Sequence, residues 1–153
     1  MRRLLSDRQR FVLWRWQDIS VDGQLYLRKL YLVRTPLFQV ALHFFHRPDP
    51  GRDLHDHPRD FVSIILRGAY VEERPSTTAP LWSIAGEHAS MNTISRAHYH
   101  VTAVYRRAED AHRISMVAPG TVSLVLWGRH RRPWGFHTRW GWRHWRTYLG
   151  LEL

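Results

Sequence analysis

The stretch from Gly51 to Tyr70 reads GRDLHDHPRDFVSIILRGAY and sets His55 and His57 one residue apart, at the mouth of an apolar run that closes on Gly68. On an extended chain, residues i and i+2 point to one face, so the two imidazoles project together and can grip one ion from one side. The chain has no cysteine. Disulfides, thiolate metal sites and cysteine nucleophiles are therefore excluded, and a metal must take His, Asp, Glu or backbone oxygen. Eleven histidines make imidazole the obvious ligand. Tyr70 and Glu72 share a strand face, which would let them line an interior as proton donor and base; a solvated strand end at Glu72 and Glu73 is the plainer alternative. Arg67, Arg74 and Arg113 are candidates to hold an acidic substrate, although alternation turns Arg113 away from the side that His112 uses. Taken singly, His43, His46, His98, His100 and His137 suit structural roles.

These residues must be positioned by strands. Period-two runs dominate: QLYLRKLYLV, FQVALHFF, FVSIILRGAYVEE, HVTAVY, HRISMV and TVSLVLWG are short, β-branched and aromatic. Turn signals separate them, at RTP (34–36), RPDPG (47–51), RPSTTAP (74–80), APG (118–120) and RHRRPWG (129–135). Many strands at short spacing predict an all-β barrel or jelly roll. At 153 residues the chain is one domain's worth, residues 1–153, with a barrel core over about 25–128. The first fifteen or so residues, with Leu4, Leu5, Phe11, Val12 and Trp14, are expected to form a short helix or an arm. The segment 129–153 gathers Trp134, Trp140, Trp142 and Trp145 with Phe136 and Tyr148. That much aromatic surface must be covered, by packing on the barrel as a flap or in a homodimer contact; a stacking platform for bases or sugars is the alternative.

The formal charge of +10 raises nucleic acid or another polyanion as a partner. Lys29 is the only lysine, and the arginines are spread along the chain with no dense basic block. That distribution fits a composition bias as well as a binding face. No apolar run approaches the roughly 18 residues a membrane span needs, so no membrane partner and a cytoplasmic location are expected.

The residues from His55 to Gly68 resemble the first motif of the cupins: glycine, five residues, HxH, three or four residues, glutamate, six residues, glycine. The spacing from His57 to Gly68 agrees with the shorter form. Gly51 stands two residues too close to His55, and the position of the motif's glutamate is taken by Phe61, with Asp60 next to it on the opposite strand face. The second cupin motif supplies a third histidine. Its best match is RRAEDAHRISMV, which offers His112 ahead of Ile114 to Val117, with Arg107 and Glu109 in place of the motif's proline and glycine. SRAHYHV, with His98 and His100 on one face, is the rival. His112 is preferred because its strand continues through Pro119-Gly120 into TVSLVLWG, as in a closing cupin barrel. The segments LHFFHRPDPGRDLHDHPRDFVSIILRGAYVEE, RRAEDAHRI and WGFHT also resemble small uncharacterised cupin-like proteins of phages and bacteria, which marks His43 and His137 as residues close to a pocket.

The resemblance implies a cupin-type jelly roll whose His55, His57 and His112 bind a divalent transition metal, with Fe(II) the default over Mn, Ni, Cu or Zn. Phe61, Ile65 and Val71 would exclude water. The function expected is that of a metal-dependent enzyme of oxygenase type acting on a small molecule. Two alternatives stand beside it. One is a metal-free cupin similar to sugar epimerases, with His55 or His57 as base and Tyr70 or Tyr99 as acid. The other is a non-enzymatic jelly-roll protein whose arginines bind a polyanion.

Overall fold

The computed structural model describes residues 11–21, 23–51, 53–76 and 93–150. Among them the chain forms β1 (Val12–Val21), β2 (Gln24–Arg34), β3 (Gln39–Phe45), β4 (Leu54–His55), β5 (Phe61–Arg67), β6 (Ala69–Pro75), β7 (Thr93–Tyr99), β8 (Ala103–Arg106), β9 (Arg113–Val117), β10 (Val122–Trp127), β11 (Gly135–Thr138), β12 (Gly141–His144) and a single helical turn, α1 (Trp145–Tyr148). No helix among the described residues is long and apolar enough to cross a membrane.

Three antiparallel sheets result: a six-stranded one in the order β1-β2-β3-β10-β5-β8, and three-stranded ones in the orders β7-β6-β9 and β12-β11-β4. The late strand β10 inserts between β3 and β5. Such non-local pairing rolls successive hairpins into a jelly roll, the all-β architecture that the period-two runs predict.

Alternation along each strand decides which residues face inward. In β3 these are Gln39, Ala41 and His43; in β5 Phe61, Ser63 and Ile65; in β6 Tyr70 and Glu72; in β10 Ser123 and Val125. Ile65, Tyr70 and Ile114 form an apolar cluster with Phe45 and Val117 against it, which joins β6 and β9 to the inner face of the large sheet. Burying side chains of this size contributes about 1.5–3 kcal/mol each. The interior is nonetheless polar in places, with His43, Ser63, Glu72, His98, Arg106, His112 and Ser123 all buried. Polar burial on this scale costs stability unless each group finds a partner, and Glu72, His98, Arg106 and His112 find theirs in one another.

Two glycines are required by close approach. Gly68 turns β5 into β6 at φ +77°, and a Cβ there would stand 2.9 Å from the Cα of Thr121. At Gly135 a Cβ would run into the carbonyl group of Arg143, so only glycine lets β11 and β12 close against each other.

At the start of the chain, of the two expected forms, helix or arm, the helix is not met over the described residues. Residues 1–10 lie outside the described residues, but from Val12 onward the segment is strand, not helix. It pairs with β2 from Val12↔Arg34 to Val21↔Gln24. The backbone bonds offered by β2, together with aromatic and β-branched side chains that suit a pleated surface, override the local helical pattern. Trp16 lies on Phe44, with ring centroids 5.6 Å apart.

Candidate metal centre

His55 ends the short strand β4, and His112 immediately precedes β9. Their backbones exchange both hydrogen bonds of an antiparallel bridge: His55 N–H donates to His112 O at 2.8 Å, and His112 N–H to His55 O at 3.0 Å. His57 N–H donates to Ala108 O at 2.8 Å, just ahead of that strand. Backbone pairing therefore brings together His55 and His112, which stand more than fifty positions apart in sequence. Ring centroids are separated by 5.0 Å for His55 and His57, 5.2 Å for His55 and His112, and 4.9 Å for His57 and His112. One ring nitrogen from each falls within 4.8 Å of the others. Nε2 of His57 and Nε2 of His112 are 2.7 Å apart.

Behind His112 stands Glu72, 1% exposed. Its Oε1 lies 2.5 Å from His112 Nδ1, so that ring nitrogen is committed to the carboxylate and Nε2 is left to face the other two histidines. Arg106 Nε donates to Oε1 at 2.9 Å, a second Arg106 nitrogen donates to Oε2, and His98 Nε2 lies 3.0 Å from Oε2. Burial pushes the Glu72 carboxyl upward, but the bonds from His112 and Arg106 together outweigh it and hold its pKa well below the usual carboxylate range. With every lone pair engaged, Glu72 positions His112 rather than offering a free base.

His55 has a more distant counterpart. Asp49 Oδ2 lies 3.8 Å from His55 Nδ1 and is held in place by the N–H of Ile114 at 2.6 Å, while Tyr26 O–H donates to Oδ1. Aromatic rings wall the centre: Phe61 is 4.8 Å and Trp127 5.3 Å from His57, centroid to centroid, and Phe136 is 5.8 Å from His55. Desolvation lowers the pKa of His55 to about 4 and that of His57 well below the ordinary value. Both rings are thus neutral near pH 7, the form that ligates metals. Three imidazoles converging on one point, one of them backed by a buried carboxylate, fit a divalent transition metal.

The aromatic tail covers this centre from outside. Asp56, between the two histidines and fully buried, points the other way and receives Gly135 N–H at 2.7 Å, Arg132 at 2.9 Å and Trp142 Nε1 at 2.9 Å, with His137 Nε2 at 3.3 Å. Trp134 stacks on Trp145 and Phe136 on Tyr148. One residue thus ties the β11–β12 hairpin to the segment that carries His55 and His57.

The remaining candidates separate clearly. Asp60 faces outward, accepting Ala108 N–H at 2.7 Å and Arg131, and does not join the histidines. His98 goes to Glu72, and His100 lies in an exposed turn. Tyr70 is buried beside His98 and bonded to Ser63, with burial raising its pKa to about 12. Arg113 bonds Glu73 and the carbonyl of Gly51. Arg67 lies near Gly120, and Tyr99 is exposed. Asp49, Asp56 and Arg106 escaped sequence reasoning. Alternation around HxH marks Asp56 as facing away from the two histidines, yet nothing local says that it is buried.

No family model matches the chain, and no curated protein matches it in sequence. Solved structures do. Fe(II)-HppE with the alternative substrate (S)-1-HPP superposes at a TM-score of 0.54 and 13% identity, over 75% of this chain and 55% of that one. KdgF from Halomonas sp. gives 0.52 and 16%, over 78% and 94%. A putative mannose-6-phosphate isomerase from Ralstonia eutropha JMP134 gives 0.50 and 17%, over 65% and 81%. The fold is the cupin jelly roll. The chain spans about half the length of HppE.

Proposed function

We propose that this chain is a small metal-dependent enzyme in which His55, His57 and His112 hold a divalent transition metal, Fe(II) by default, for oxygenase-type chemistry on a small molecule. The observation that carries the reading is the convergence of three ring nitrogens within 4.8 Å on the inside of the barrel. The fold shared with Fe(II)-HppE supports it. A metal held there supplies Lewis acidity, redox chemistry if it is iron, and coordination positions that the three imidazoles leave open.

The chain's own residues have defined parts. Glu72, steadied by Arg106 and His98, keeps His112 turned with Nε2 toward the centre. Phe61, Trp127 and Phe136 keep water from the ligands, and the Asp56 anchor holds the tail over them. The test is anaerobic loading with Fe(II) followed by nitric oxide, a surrogate for dioxygen. Wild-type protein should give the EPR signal of a high-spin iron nitrosyl and His57→Ala should not; a wild type that binds iron without this signal contradicts an open, dioxygen-competent centre.

A further inference from the structure

Three residues share one row across the inner face of the large sheet. Lys29 on β2 stands opposite His43 on β3, and His43 stands opposite Ser123 on β10. Their side chains point inward: Lys29 alternates with buried Leu27 and Tyr31, and His43 and Ser123 are themselves buried. Residues directly opposite on antiparallel strands have Cβ atoms about 4.5–5.5 Å apart, so His43 stands beside both Ser123 and the stem of Lys29, whose long side chain can extend along the row.

Two of these ends are unsatisfied. Ser123 is fully buried, yet its Oγ has no hydrogen-bond partner among the described residues; His43 is 7% exposed, and its Nε2 has none either. A buried polar atom left unpaired costs its full desolvation with nothing in return. Two on adjacent strands are a standing cost that a ligand would relieve. Neighbouring inward positions carry short side chains, Ala41 on β3 and Ser63 on β5.

The charge is also specific. Lys29 is the only lysine among 23 basic residues, and it faces the interior. Burial first, and then the Lys29 charge, push the His43 pKa well below its ordinary value, and the row lies close to the histidine centre: the His43 ring is 6.3 Å from that of Trp127, which is 5.3 Å from that of His57. One cation flanked by a neutral imidazole and a hydroxyl matches a single negative charge with oxygen acceptors.

We propose that Lys29, His43 and Ser123 form a carboxylate-binding row, and that the small-molecule substrate of the histidine centre is an acid whose carboxylate is held there. The inference rests on the metal reading only for the word substrate; the row itself can be tested without metal. Lys29 and Ser123 donate to the carboxylate oxygens, and His43 Nε2 is satisfied as donor to the same group.

The test compares butanoate with butanamide, and with methylphosphonate, by calorimetric titration of the full chain in metal-free and Zn(II)-loaded form. Metal content is measured on the same samples. Butanoate should bind at least about tenfold more tightly than butanamide, about 1.4 kcal/mol. Both Lys29→Met and Lys29→Gln should erase that preference while leaving metal content unchanged. Ser123→Ala should weaken butanoate binding and leave the thermal midpoint equal or higher, because it removes a buried hydroxyl with no partner. Equal affinity for acid and amide in wild type, a preference that survives in the folded Lys29 variants, or tighter binding of methylphosphonate than butanoate would each overturn the proposal. Acid preference in a wild type that retains no metal would uphold the row and sink the metal reading. Metal retained with acid and amide bound alike would sink the row alone.

Discussion

The carboxylate of Glu72 lies 2.5 Å from Nδ1 of His112, and both residues are buried. This contact fixes which nitrogen of His112 faces the other two histidines, and it is the point where the barrel interior is coupled to the proposed ligands. Carboxylates that orient a ligating histidine commonly contribute 10–100-fold to metal affinity. Glu72→Gln should therefore weaken metal binding by about that factor, read by competition with a chromophoric chelator. Unchanged affinity in a folded Glu72→Gln protein would show that His112 needs no such support.

Acid should weaken the metal-free protein well above the carboxylate range. His55 titrates at about 4 in the folded state because it is buried, against about 6.5 when unfolded. Between those values the unfolded chain binds a proton that the folded chain does not, so stability falls as pH drops through the window. From about pH 7 to pH 5, His55 alone should remove about 2 kcal/mol, and His57 acts in the same direction. Glu72, whose folded pKa is depressed, adds its loss only below its unfolded value of about 4.3. Urea unfolding at the two pH values checks this; equal midpoints would mean that the rings are not buried and neutral.

Asp56 should act as the latch of the aromatic tail. Asp56→Ala leaves Arg132, Trp142 and the Gly135 N–H without their shared acceptor. A loss on the order of 2–4 kcal/mol is expected, together with a red shift of tryptophan emission as Trp134 and Trp142 gain water. Denaturation followed by fluorescence reads both. A wild-type spectrum with wild-type stability would remove Asp56 from this role.

The strands were largely legible from residue type, because β-branched alternation bounded by Pro and Gly specifies β2, β3, β5, β6, β9 and β10 without reference to distant contacts. The pair His55 and His57 was legible for the same reason. What joins them to His112 is a backbone bridge across more than fifty residues, and local pattern carries no such information. For Glu72 the sequence left an inward carboxylate and a solvated strand end both open, because its commitment to Arg106, His98 and His112 depends on β6, β7, β8 and β9 meeting. The strand at Val12–Val21 was obscured because its pairing with β2 is tertiary and its own pattern is mixed.

Phe61 packs against His57, His112 and Trp127, where the cupin motif carries a glutamate. Phe61→Ala should cost about 3–5 kcal/mol through the cavity it leaves. Phe61→Glu should destabilise the metal-free protein as well, since it buries a carboxylate among the rings of His57, His112 and Trp127. Metal should then raise its thermal midpoint by more than it raises that of wild type, because the new carboxylate can ligate. A smaller metal-induced shift than in wild type would show that this side chain does not reach the centre.

The most direct measurement is elemental analysis of untagged protein purified without chelator and loaded anaerobically with Fe(II), beside the His55→Ala, His57→Ala double variant. Near-stoichiometric metal in wild type, lost in the folded variant, is the expected result. Metal absent from both, or equal in both, would contradict coordination by these histidines.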